Sequence, residues 1–404
     1  MRRIFVFAAA AHAAKILFIH QSFPGQFATL LRLFVASGRH QLVALLPTTA
    51  PNRDHLPRNV TYSWYTPRAP IHGDSSLGGF ERKMHTGRDA AVQAARLRNG
   101  GYKPDVIVAH PMWGEAMLLH AVWPRTPQLH FVEWFYGQRG TDFDFVDAPG
   151  GARRKWGDDD GKLTVAEFHA SMHAEVGNAA LTLSFSRMAL GVTPTRFQWG
   201  VIPPFARAKT VVQFDGIDTD YFTADANAVL QLPSGVVLRA GDEVVTFANR
   251  VFEPARGIHR FVEALPRVLA ARPNAHVVLI GLDRPQVRYG AGRNDGRGWL
   301  TALKANHTDV DWSRVHEVGK VARKGMRQIF RVSAVHVLLT QPFFLSWSFL
   351  EAMATECLVV GSDTAPVQEV VRDGHNGYLV PFADAAAIDL LQRCSCLHSL
   401  LHRF

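Results

Sequence analysis

An unbroken apolar run, "KILFIH" at Lys15–His20, is followed by "QSFPGQFATLLRLFVASG" and then by a second run, "HQLVALLP". A strand buried on one face alternates apolar and polar residues, so an unbroken run of this length belongs to a strand covered on both faces, as in a parallel sheet. Between the two runs, Pro24 and Gly25 mark a turn, and Phe27, Leu30, Leu31, Leu33, Phe34 and Val35 recur at helical spacing as far as Gly38. The order strand, turn, helix, strand is a βαβ unit.

The pattern repeats. "DVIVAH", "LHFVEW" and "TVVQFD" read as further buried strands, with helices at "AVQAARLRN" and "TVAEFHASMHAEVGNAA". An irregular stretch after Asp218 reads as a linker. A second series then opens with "EVVTFANR" and runs through "IHRFVEALPRVLAAR", "HVVLIG", "GWLTALKAN", "VHEVGKV", "GMRQIFRV" and "AVHVLLT" to "CLVVGS". Two such blocks predict an α/β protein of two doubly wound, Rossmann-like domains facing a central cleft, with ligands at the carboxyl ends of the strands. The expected division is 1–14 as a leader outside the fold, 15–218 as the N-terminal domain, 219–242 as the linker and 243–404 as the C-terminal domain. "MRRIFVFAAAAHAA" fits a cleaved secretory signal, a membrane-touching start or a start site set too far upstream.

The 404 residues, 47% hydrophobic and 20% charged, suffice for two cores. No apolar run approaches the ~20 residues of a membrane-spanning helix. Residues 1–200 carry 22 Lys and Arg against 15 Asp and Glu, so the formal charge of +9 lies mostly in the first half. Without a long Lys/Arg block this reads as a solvated basic face, with anionic lipid second and no nucleic-acid groove expected. Arg82, Lys83, Arg96 and Arg98 are the residues expected to meet such a lipid surface. Cys357, Cys394 and Cys396 are too few and too crowded for a disulfide framework, and free thiols in a reducing compartment are expected.

Ser346, Trp347, Ser348 and Glu351 follow the strand "AVHVLLT" in "LSWSFLEAMA", which places them at the ligand-binding edge. The first-turn amides of a helix have no intrahelical partner and favour an anion. A serine here is by itself an ordinary helix cap. "FANRVFEPARG" adds Arg250 just past a strand and Arg256 at the next helix, and two guanidinium groups at converging strand ends suit a pyrophosphate. Either arginine alone would read as a surface salt-bridge partner.

Together, "KILFIHQSFPGQF", "FANRVFEPARG", "LSWSFLEAMA" and "SDTAPVQEVVRDGHNGYLV" resemble the family 4 glycosyltransferases, retaining enzymes of the two-domain GT-B fold, from about Lys15 to about Asp384. The resemblance implies that Gly25 lets donor phosphate or acceptor approach the backbone. It implies that Arg250 and Arg256 neutralise the donor diphosphate, that Glu351 binds the ribose hydroxyls and that His110 lies near the donor sugar. Gly319 and Lys320 match the segment whose backbone pairs with the base. Where the family places a first glutamate, this chain has Phe343, beside Phe344; the amides of Ser346 and Trp347 are then the expected readers of the sugar. The helices that follow "PFADAAAIDLL" in the family are replaced by "QRCSCLHSLLHRF", read as a truncated end.

The implied reaction moves a sugar from a nucleotide-sugar donor to a glycan or lipid-linked acceptor. Arg250, Arg256 and the helix amides stabilise the departing diphosphate, with neither a metal nor another cofactor. In "DGIDTD", Asp218 and Asp220 read as turn residues. A cytoplasmic location is expected, at the inner face of the membrane if the basic half meets anionic lipid. Two alternatives remain open: a sugar-nucleotide epimerase, whose first-domain carboxylates would be Glu115 and Glu133, and a nucleotide-sugar-binding subunit without turnover.

Overall fold

The computed structural model describes residues 13–51, 56–69, 76–137, 141, 165–287, 289, 292–384 and 386. Most of the expected leader lies outside these residues, as do Cys394, Cys396 and the end of the chain. The described residues form two compact units that, Thr141 apart, divide between Gly216 and Ile217.

The first unit is built on a seven-stranded parallel sheet. Its strands are β1 (Lys15–Ile19), β2 (Gln41–Pro47), β3 (Thr61–Tyr65), β4 (Val106–Ala109), β5 (Gln128–Phe131), β6 (Leu190–Thr193) and β7 (Thr210–Val212), in the order β3-β2-β1-β4-β5-β6-β7. β1 is buried on both faces, as its unbroken apolar run requires. Leu17 and Ile19 pack with Val43, Leu45, Ala90 and Ala94 on one side. Ile16 and Phe18 pack with Phe23, Phe27, Leu31 and Ala44 on the other. β3 and β6 were not expected, since "TYSWY" alternates at the sheet edge and "LGVT" is short and interrupted by Gly191. That glycine is needed for packing: a Cβ there would come within 2.4 Å of the Thr210 hydroxyl.

The helix Ser76–Asn99 carries the residues expected to meet lipid. Arg82, Arg96 and Arg98 are exposed, and Arg98 also donates to the Val122 carbonyl at 2.6 Å. Lys83 corrects the expectation. Its ammonium turns inward to donate to the Gly177 carbonyl at 3.1 Å, and burial lowers its pKa to about 8 against the opposing charge of Glu115.

The second unit takes in the whole stretch read as a linker. β8 (Val229–Gln231) and β9 (Val237–Arg239) form an antiparallel hairpin. Ala228, Leu232 and Leu238 bury against Val244, Ala248, Val278 and Ile329. Residues 219–242 are therefore packed into the unit, through apolar side chains too few to register as a period. Asp218 serves the turn expected of it, accepting from the Tyr221 amide at 3.2 Å.

The main sheet of this unit comprises β10 (Val244–Val251), β11 (His276–Leu282), β12 (Val315–Gly319), β13 (Val335–Leu338), β14 (Leu358–Ser362) and β15 (Tyr378–Val380). The strands are parallel, in the order β12-β11-β10-β13-β14-β15. Phe247, Phe252, Phe261, Leu265 and Val337 lie in its core. In both units the direction of winding reverses once, between β1 and β4 and again between β10 and β13. Beside such a reversal the connections leave a crevice at the carboxyl ends of the strands.

Candidate active site

At the reversal in the second unit, Arg250, expected just past the strand, is the penultimate residue of β10, and the short 3-10 turn Pro254–Arg256 follows. The segment leaving β13 meets it through a backbone bond from Gln341 to Ala255 at 3.1 Å. Arg250 is exposed, and its side chain has no hydrogen bond or ion pair among the described residues. Arg256 is only 7% exposed. Its Nη1 donates to Thr340 Oγ1 at 2.7 Å and to the Phe344 carbonyl at 3.2 Å. Its guanidinium lies 4.9 Å from the Phe344 ring centre, 5.6 Å from Phe343 and 5.7 Å from Tyr289. Phe343 is buried in this aromatic cluster, 4.7 Å from the Tyr289 ring.

The helix Trp347–Ala354 leaves the same segment. Ser346 occupies its N-cap position without capping it, because its hydroxyl pairs with that of Ser348 at 2.7 Å instead of with a backbone N–H. The ordinary serine cap is therefore not made. Trp347 is 41% exposed. Glu351, one turn inside, is half-buried; burial raises its pKa to about 7, and the positive charge of Arg323 pulls the other way. Arg323 and Arg327 lie on the Tyr221 ring at 4.3 and 4.2 Å. Lys320 is exposed just past edge strand β12, two strands from the reversal.

The first unit gathers a polar network at its own reversal. His20 immediately follows β1, His110 immediately follows β4, and Glu133 follows β5. The His20 Nδ1 accepts from the Ser22 amide at 2.9 Å, so Nε2 carries the proton and donates to Gln26 Oε1 at 2.7 Å. Gln26 Nε2 donates in turn to Glu133 Oε1 at 2.7 Å. The His110 Nε2 stands 3.3 Å from Glu133 Oε2 without the alignment of a hydrogen bond. Its ring stacks on Trp113 at 4.5 Å. Gly25 adopts φ +48°, and a Cβ there would lie 2.4 Å from the His20 imidazole. The close approach that Gly25 permits is thus made by His20.

Burial drives the His20 pKa down to about 3, helped by His110 and opposed by Gln26 and Glu133. Burial also pushes Glu133 upward, but His110, Gln26 and His20 outweigh it and hold the carboxyl below its ordinary range. Glu115 lies elsewhere in the unit, fully buried against the Tyr65 hydroxyl at 3.2 Å, and burial raises its pKa to about 7.

Sequence reasoning had not singled out His20, Gln26, Trp113, Tyr289, Thr340 or Arg323. One signal was present: the two apolar runs "KILFIH" and "DVIVAH" both end in histidine, and β1 and β4 are the strands that flank the reversal.

The chain thus has two doubly wound units, one with a helix start that lacks a side-chain cap and a carboxylate a turn inside. Residues 38–222 match the glycosyl transferase family 4 group and residues 242–395 match glycosyl transferases group 1, and the chain belongs to this glycosyltransferase family. A phosphatidyl-myo-inositol mannosyltransferase of Mycobacterium leprae is 28% identical over 151 residues, which cover 36% of this chain and 35% of that protein. The chain thus matches about a third of the length of this curated relative.

Among solved structures, Anabaena HepE in complex with UDP and glucose has a TM-score of 0.61 at 17% identity, over 94% of this chain and 89% of that one. Sucrose-phosphate synthase of Thermosynechococcus elongatus has a TM-score of 0.67 at 17% identity, over 96% and 91% of the two chains. These likenesses show the GT-B fold.

Proposed function

We propose that the chain is a retaining, metal-independent glycosyltransferase that moves a sugar from a nucleotide-sugar donor to a glycan or lipid-linked acceptor. The observation that carries this reading is the start of the helix Trp347–Ala354, which has no side-chain cap, at the same reversal as Arg250 and Arg256. First-turn amides and an exposed guanidinium group such as that of Arg250 stabilise a departing diphosphate without a metal ion. A lipid-linked acceptor is supported by the mannosyltransferase relative, and a uridine nucleotide by the HepE complex. Phe343, buried where the family has a glutamate, keeps a second reading in view: a nucleotide-sugar-binding protein without turnover.

Incubation with labelled UDP-glucose and GDP-mannose distinguishes the readings. Transfer, or slow hydrolysis releasing nucleoside diphosphate, supports the transferase. Binding without product supports the binding protein, and an isomerised sugar would establish an epimerase.

Glu351→Gln is expected to weaken UDP about tenfold while leaving a 2′,3′-dideoxy analogue nearly unchanged, since a hydrogen bond to a charged group contributes about 1.5–3 kcal/mol. With its pKa near 7, Glu351 ionises between pH 6 and 8. Wild-type affinity for UDP should therefore rise across that interval, and the variant's should not. Calorimetric titration at the two pH values reads both effects, and equal losses for the two nucleotides would make Glu351 structural.

The exposed Arg82, Arg96 and Arg98 also support reversible docking on anionic lipid, at ~1 kcal/mol per nearby cation. Sedimentation with phosphatidylserine vesicles should fall as salt rises; binding indifferent to salt would remove electrostatic docking.

A further inference from the structure

We propose that Glu133, not His110, is the side chain that the first unit presents to a hydroxyl of the acceptor sugar, with His110 a positioning residue behind it. The inference rests on the transferase reading above. His110 is 0% exposed, stacked on Trp113 and edge-on to His20 at 5.0 Å. A ligand could reach its ring only by displacing those neighbours. The Glu133 side chain is 21% exposed at the same reversal. Of the roughly four lone-pair sites on a carboxylate, Gln26 takes one and His110 approaches another, so acceptor capacity remains.

The chemistry of the neighbours selects the ligand. The proton order from His20 to Gln26 to Glu133 makes the glutamate the acceptor end of the network. Held ionised by His110, Gln26 and His20, it would repel a phosphate and accept from a neutral hydroxyl donor. The half-buried Trp113 supplies the apolar ring surface that commonly accompanies a few placed polar groups in a small-molecule site. A neutral, hydroxyl-rich sugar meets both demands.

The test uses the full chain, with methyl α-mannoside and methyl α-glucoside as neutral probes and UDP and GDP as separate probes, all followed by saturation-transfer NMR. Glu133→Gln is expected to lose at least tenfold in glycoside affinity with nucleotide binding unchanged. His110→Phe keeps a ring against Trp113 but removes the nitrogen that faces Glu133. In that variant, glycoside binding should weaken between pH 7 and pH 5, a shift that a purely structural histidine would not produce. Should Glu133→Gln fail to fold, Gln26→Ala, which removes the firmest donor to the same carboxylate, carries the comparison. Glycoside binding unaltered in the glutamate variant, or absent from wild type while UDP or GDP still binds, overturns the assignment. Glycoside binding that depends on Glu133 without any nucleotide binding would support the site and count against the transferase reading.

Discussion

Lowering the pH from 6.5 to 5 should destabilise the first unit by about 2 kcal/mol, and by nearly twice as much in Glu115→Gln. His20 and His130 both have pKa values pushed down to about 3, chiefly by burial and next by the charge of His110. Unfolding returns them to about 6.5, so below that pH the unfolded chain binds more protons. Their contribution is full above pH 6.5 and is lost as the pH falls toward 3.

Glu115 has the opposite sign. Its folded pKa of about 7 exceeds the ordinary 4.5, so its contribution is present below pH 4.5 and is lost as the pH rises through 7. Between pH 6.5 and 5 it offsets about half of the histidine loss, and an amide that keeps the Tyr65 contact removes the offset. Above pH 7, Glu115→Gln should be the more stable protein by about 3 kcal/mol. Hydrogen exchange of the β1, β4 and β5 amides across this range, corrected for intrinsic rates, measures both slopes. Parallel profiles for the two proteins would place the Glu115 carboxyl outside the linkage.

The second large effect separates the two arginines of "FANRVFEPARG". Arg256→Ala is expected to cost about 3–5 kcal/mol of stability, because it removes two bonds from a charged donor and the cation from three rings. The fully buried Thr340 hydroxyl and the Phe344 carbonyl lose their donor, so the segment leading into the helix Trp347–Ala354 should loosen as well. Arg250→Ala should change stability by no more than about 0.5 kcal/mol, as for exposed positions generally. It should still weaken UDP or GDP about tenfold, the loss expected for one charge-assisted bond of about 1.5 kcal/mol. Denaturant unfolding and nucleotide titration of both variants decide the point. An Arg256→Ala protein of wild-type stability with lost nucleotide binding would return Arg256 to the role of a direct phosphate ligand.

The strands that form the two sheet centres were legible because a strand covered on both faces can contain almost nothing but apolar residues, as "KILFIH" and "DVIVAH" do. Motif spacing placed Arg250, Arg256, Ser346 and Glu351 at strand ends, since an alternation of strand and helix leaves few other places for them. The edge strand β3 and the hairpin β8–β9 were not legible, because their burial is partial and their runs are too short to carry a period.

Spacing along the chain could not distinguish an exposed Arg250 from an Arg256 enclosed by Tyr289, Phe343 and Phe344, because the enclosing rings come from segments 33 and more residues away. Nor could it show that His20, Gln26, His110 and Glu133, spread over more than a hundred residues, share one network. The sequence by itself determined the two doubly wound units and which residues stand near their strand ends, through local apolar pattern and motif order. Tertiary structure decided which of those groups face solvent and which hold others in place, because burial and hydrogen-bond partnership depend on contacts between residues far apart in the chain.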